Sequence, residues 1–167
     1  SATLNTALTT QISDFLTTYP SANTPTTNRT HCVSWSDWAT RPKVEVQKGI
    51  RLNLDYYYWP TSWISTKPGL MNGSGIPMRF ADLNGTLIDS YQLPTNMPDE
   101  STAPTTLHIT TLLDHALGAE GYYGVFTANM HTDQDVSEGS DDILAEAKVR
   151  NVPIISAKQL LTWLDGR

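Results

Sequence analysis

Apolar residues recur along this chain with two different periods. Leu4, Leu8, Ile12, Phe15, Leu16 and Tyr19 line one face of a helical repeat, and Pro20 stops it. The stretch from Ser21 to Asn28 is rich in Ser, Thr, Asn and Pro and reads as a surface loop. "RTHCVSW" then predicts a short strand. "RPKVEVQKG" predicts a short helix, with Thr40 near its N-cap, Pro42 in the first turn and Gly49 past its end. "IRLNLDYYYW" is the clearest strand of the first half. Alternation there would turn Asp55, Tyr57 and Trp59 to one side and Leu54, Tyr56 and Tyr58 to the other.

The interval from Pro60 to Pro77 is broken by Pro, Gly, Ser and Asn and predicts a long loop, a kind of segment that often carries function. "PMRFADLNGTLIDSYQL" predicts a β-hairpin about a two-residue Asn84-Gly85 turn. That register sets Leu83 opposite Thr86 and Asp82 opposite Leu87, with Asp82 and Asp89 on one face and Arg79 on the other. "LPTNMPDESTAPTT" reads as loop. "TTLHITTLLDHALG" predicts a helix buried along Ile109, Leu112, Leu113, Ala116 and Leu117, with Gly118 as its stop. "GYYGVFTANMH" predicts a buried strand. Ser140 would cap a helix over "DDILAEAKVR", acidic at its start and basic at its end. "VPIIS" predicts a short apolar strand, and Ser156 would cap a last helix, "AKQLLTWLDGR".

The second half thus alternates helix, strand, helix, strand, helix, which points to an α/β fold with a mostly parallel sheet and an inserted β-hairpin. A length of 167 residues suits a single domain over 1–167 with a hydrophobic core of its own. The start on "SATLNT", without methionine, reads as a mature chain or an excised piece of a larger protein. A net charge of −6 without any cluster of Lys and Arg argues against a nucleic-acid partner. No apolar run is long enough to span a membrane, and the N-terminus lacks the pattern of a signal peptide. Cys32 is the single cysteine, so no internal disulfide forms.

In a parallel sheet, ligands sit at the carboxyl ends of the strands. His131 follows "GYYGVFTANM", Arg29 and His31 lie in "RTHC", and "NLDYYYW" supplies Asp55 and Trp59. Brought to one rim, these residues would suit acid–base hydrolysis, with His131 as general acid and Asp55 orienting a partner. Each also has a plainer reading: a solvated histidine, or Asp55 pairing with Arg51. Asp82 and Asp89 could hold a metal as a diagonal pair or sit solvated at an edge, and Asp133 with Asp135 forms an incomplete calcium-type loop. Trp35, Trp38, Trp59 and Trp63 all fall in the first 63 residues. Their flat faces, with Tyr57, suit pyranose stacking or, equally, a core.

"RTHCVSWSDW", "GIRLNLDYYYWP", "GSGIPMRFADLNGTLIDSYQ" and "GYYGVFTANMHTD" together resemble the C-terminal half of a polysaccharide deacetylase-like domain of large bacterial secreted proteins. The resemblance covers Asn28 to Arg167. It implies a partial or distorted (β/α) barrel, a secreted or cell-surface location, and removal of acetyl groups from extracellular polysaccharide or oligosaccharide. It also implies a divalent, zinc-like metal in the full-length protein. By the same resemblance His131 is similar to the family's late acid histidine, Arg29 to the arginine that steadies the catalytic aspartate, and Asp55 to its later acidic partner. Tyr57, Trp59 and Trp63 would be the sugar platform. The family's early paired aspartates and histidine-rich metal motif have no counterpart before Arg29. The expectation is that an upstream segment or a second chain completes the barrel, or that this branch has lost the chemistry. The alternative is a non-catalytic carbohydrate-binding or structural domain of a surface protein.

Overall fold

Five helices and five strands follow one another in the computed structural model, which describes residues 2–30, 37–56, 75–99, 105–121, 124–133 and 137–167, with the backbone alone at 55, 56, 98 and 105–108. The elements are α1 (Ala2–Thr18), β1 (Thr27–Asn28), α2 (Thr40–Gln47), β2 (Leu52–Tyr56), β3 (Met78–Ala81) and β4 (Leu87–Pro98). They continue with α3 (Thr105–Leu117), β5 (Thr127–Asn129), α4 (Glu138–Val149) and α5 (Ala157–Asp165). The fold is mixed α/β. Pairings β1–β2 and β4–β5 are parallel, and β3–β4 is antiparallel. The sheet runs β1-β2-β4-β3 with β5 on β4, and among the described residues it stays open rather than closing into a barrel.

The chain divides into two compact units. The first comprises Ser1–Asp55, Met78–Gln92 and Ser156–Arg167, and the second Tyr56–Pro77 and Leu93–Ile155. Strand β4 contributes its first half to one and its second half to the other.

In the first unit Leu8 of α1 packs with Val44 of α2 and with Ile50, and Leu4 and Ile12 close over them. The apolar stripe of α1 is buried only along this part: Phe15 and Tyr19 remain exposed. Helix α2 starts where Asp37 Oδ1 accepts the backbone N–H groups of Ala39 and Thr40, a carboxylate on the unpaired amides of a first turn. Helix α5 begins with a reciprocal capping box between Ser156 and Gln159 and buries Leu160 and Leu161.

The hairpin differs in register from the expected two-residue turn. Ala81 pairs with Leu87, and the Asp82 N–H donates to Thr86 O, so three residues, Leu83 to Gly85, form the loop. Two side chains select this turn: Asp82 accepts the Leu83 N–H and Asn84 the Thr86 N–H. Gly85, at φ +85°, then supplies the left-handed residue that a three-residue loop needs. A further register shift between Arg79 and Ala81 sets Arg79 opposite Tyr91, and its guanidinium reaches Asp89 at 2.8 Å.

In the second unit Met97, Ile109, Leu112, Leu113 and Ile143 form the core, with Phe126, Ala128 and Val152 against it. Leu117, expected in the stripe of α3, is exposed instead. The segment expected as loop after Leu93 is strand: β4 runs through Pro94 to Pro98 with Leu93, Thr95, Asn96 and Met97 all buried. Conversely, "VPIIS" forms no strand, and Ile154 and Ile155 are about half exposed. Among the described residues of the longer apolar run, strand β5 takes up three. No described helix is long and apolar enough to cross a membrane.

Candidate active site

Strands β4 and β5 lie parallel with Pro98 beside Asn129, so the residues that follow each strand leave the same carboxyl end. One residue past β4 stands Asp99, and two past β5 stands His131. The ladder is carried onward by the Asp99 N–H, which donates to Asn129 O at 3.1 Å. His131 then turns back: its backbone N–H donates to Asp99 Oδ2 at 2.7 Å, and its ring Nδ1 lies 2.6 Å from Asp99 Oδ1. A single carboxylate thus holds the histidine by main chain and side chain at once.

Helix α4 closes the other side. Its N-cap is Ser137, three residues earlier than the expected Ser140, because the Ser137 hydroxyl accepts the Ser140 N–H. The hydroxyl groups of Ser137 and Ser140 both donate to Asp99 Oδ2, at 3.1 and 2.8 Å. The Asp99 side chain is 1% exposed and that of His131 29%.

Burial alone would push the Asp99 carboxyl up. The His131 ring and backbone N–H, with the hydroxyls of Ser140 and Ser137, outweigh that cost and hold it at about 2. An ionised carboxylate only accepts hydrogen bonds, so the proton in the 2.6 Å contact belongs to His131 Nδ1. That assignment makes Nε2 the nitrogen through which the ring would take up or release a proton, with the imidazolium stabilised by the charge behind it.

The first unit holds a second buried polar cluster. Arg41 and Glu45, two and one per cent exposed, pair at 3.0 Å along α2. Glu45 also accepts from Asn28 at 2.9 Å and from Asn53 at 2.8 and 3.0 Å, while Arg41 donates to Thr30 at 3.0 Å. Burial pushes the Glu45 carboxyl up against the pull of these donors. Beyond the Arg41–Glu45 pair itself, these contacts join α2 to β1, β2 and the residues just after β1, so the cluster fastens the helix to the parallel pair. The sequence offered no signal for it beyond the four-residue spacing of Arg41 and Glu45.

Of the residues expected at the site, His131 stands at a strand's carboxyl end and is paired with a carboxylate. Arg29 follows β1 in the first unit, half-buried, with Nε out of contact with water and without a hydrogen-bond acceptor among the described residues. Asp55 lies in β2 of the same unit, described by its backbone. His31, Tyr57, Trp59 and Trp63 lie outside the described residues, as does Asp135. Arg51, considered as a partner for Asp55, forks onto Asp89 at 2.9 and 2.8 Å and reaches Asp165 at 2.7 and 2.6 Å.

Asp82 and Asp89, weighed as a metal pair, are each engaged by cations: Asp82 pairs with Lys43, and Asp89 with Arg51 and Arg79. Among the described residues no three of His, Cys, Asp or Glu gather as a metal-binding group. Asp99 also has both oxygens committed to protein donors. The described residues therefore do not form a cradle for the divalent ion that the resemblance implies.

Asp99 was missed because it follows a stretch that prolines make look like loop. Its two prolines and its polar residues hide the strand, so the sequence carried no clear signal for it. Comparison with protein-family models, curated proteins and solved structures yields no match to this chain.

Proposed function

We propose that this chain carries a hydrolytic acid–base site centred on His131 and Asp99, and that its reaction is the removal of acetyl groups from extracellular glycans. The observation that carries the reading is the 2.6 Å contact between His131 Nδ1 and the buried Asp99 carboxylate at the carboxyl end of two parallel strands. A carboxylate that fixes the ring through Nδ1 and favours its charged form is an arrangement that supports general acid–base catalysis.

In that reaction water adds to the acetyl carbonyl, and the resulting tetrahedral centre expels the sugar oxygen or nitrogen. His131 gives the leaving atom its proton from Nε2 and is reprotonated at the expense of the water. Asp99 stays ionised throughout and offsets the positive charge on the ring. The glycan as substrate, and a secreted or cell-surface setting, rest on the sequence resemblance and on the aromatic run around Tyr57, Trp59 and Trp63.

Acetate release from acetylated chitooligosaccharides and acetylated xylan tests the proposal. His131→Ala should abolish release, and Asp99→Asn should lower it by about a hundredfold or more. Equal turnover by His131→Ala and the parent chain, or no release by the parent chain, would overturn it. Binding on a glycan array without acetate release would favour the carbohydrate-binding alternative instead.

A further inference from the structure

We infer that Ser140, carried on the first turn of α4, is a positioning residue for the His131–Asp99 pair, acting through the Asp99 carboxylate; this rests on the pair being the working site. The two serines at the start of α4 have different jobs. Ser137 is accounted for by helix formation, since its hydroxyl accepts the Ser140 N–H as an N-cap. The hydroxyl of Ser140 does nothing for the helix. At the third helical position a Glu or Gln would reach back to the cap in a capping box. Ser140 points its hydroxyl away from the cap and onto Asp99 Oδ2 at 2.8 Å.

The approach is close by construction. A Cβ built at Gly139 would lie 2.6 Å from the Asp99 carbonyl oxygen and 3.1 Å from its Cβ, so only glycine lets this turn come so near. The positive end of a twelve-residue helix is thereby set against a buried anion.

The consequence is geometric. With the His131 N–H, Ser137 and Ser140, Oδ2 accepts three donors, which fixes the rotation of the carboxylate. Oδ1 is then the oxygen aimed at Nδ1. Removing Ser140 takes away the shorter of the two hydroxyl contacts on Oδ2 and frees the carboxylate to turn, so the ring loses its fixed direction.

The experiment uses the whole chain with Ser140→Ala, Ser140→Thr and Ser140→Cys, read by NMR on the resting protein and by acetate release. In Ser140→Ala the Asp99 carboxyl should titrate about one unit higher, since a donor that favours the ionised form is gone. The His131 Nδ1–H should exchange with water at least about tenfold faster, and kcat should fall about tenfold with KM unchanged. Ser140→Thr, which keeps the hydroxyl, should restore all three. Should the alanine variant fail to fold, Ser140→Cys, a weak donor of similar size, should fall between alanine and serine.

An Asp99 titration and an Nδ1–H exchange rate unchanged in Ser140→Ala, or in Ser140→Cys if alanine does not fold, would overturn the inference. Changes that threonine does not restore would also overturn it, because they would mark a packing effect. If the parent chain releases no acetate, the proposed activity fails, while the two NMR readouts still decide the positioning role.

Discussion

Asp99 should make the second unit sensitive to acid in a way that one substitution removes. Its carboxyl is held at about 2 in the folded chain against an ordinary value of 3.8. The group binds a proton more readily when unfolded, so its contribution to stability is complete above the unfolded value and is lost as pH falls through the folded one. A difference of nearly two units at about 1.4 kcal/mol each corresponds to about 2 kcal/mol near neutral pH, of which about half is gone by about pH 3. Urea unfolding followed by far-ultraviolet circular dichroism, at steps from about pH 7 to about pH 2.5, gives the profile for the parent chain and for Asp99→Asn. The variant should be less stable at neutral pH, because its amide meets the donors of Ser137, Ser140 and His131 with only one acceptor oxygen. Its profile should also be flatter by about 1.5 kcal/mol across this range. Parallel profiles would refute the reasoning, since they would mean that the other carboxylates account for all of the acid sensitivity.

Two further perturbations probe the first unit. Arg41→Met leaves Glu45 buried with two asparagines but no cation, and should cost about 3–5 kcal/mol by urea unfolding, whereas a cost under about 1 kcal/mol would show the pair to be dispensable. Gly85→Ala puts a side chain at φ +85° in the hairpin loop with nothing within 4 Å of it, so the penalty is conformational alone: about 1 kcal/mol, seen as a fall of a few degrees in melting temperature, and an unchanged melt would contradict the three-residue loop.

The elements that could be read from the chain are those whose signals are local. The described helices announce themselves by a 3.6-residue apolar period or by end residues such as Ser156 with Gln159. The α5 cap is decided within four residues, between Ser156 and Gln159. The cap of α4 was misplaced by three residues for a related reason: serines stand at both 137 and 140, and only the approach of Asp99 decides which hydroxyl turns to the helix and which away. The hairpin was legible but its register was not, because Asp82 and Asn84 compete for the turn amides through their side chains. That competition lengthens the loop by one residue and sets Asp82 against Thr86.

Burial on both faces erased the remaining signals. From Leu93 to Met97 every residue of β4 is buried, so no alternation marks it as strand, and its two prolines argue for loop. "VPIIS" shows the converse: an apolar run is only a request for burial, and Ile154 and Ile155 remain half exposed. The candidate site inherits both lessons. His131 was found because it ends a recognisable apolar run. Its partner lay at the end of a strand that could not be recognised, 32 residues earlier in the chain. What joins them is the register of a parallel pair, Pro98 beside Asn129, which converts that separation into a contact of 2.6 Å. A slip of one residue in that pairing would carry Asp99 to the opposite face and out of reach of the imidazole. The chemistry of the site is thus specified by the ladder of backbone hydrogen bonds between β4 and β5 as much as by the identities of its two side chains.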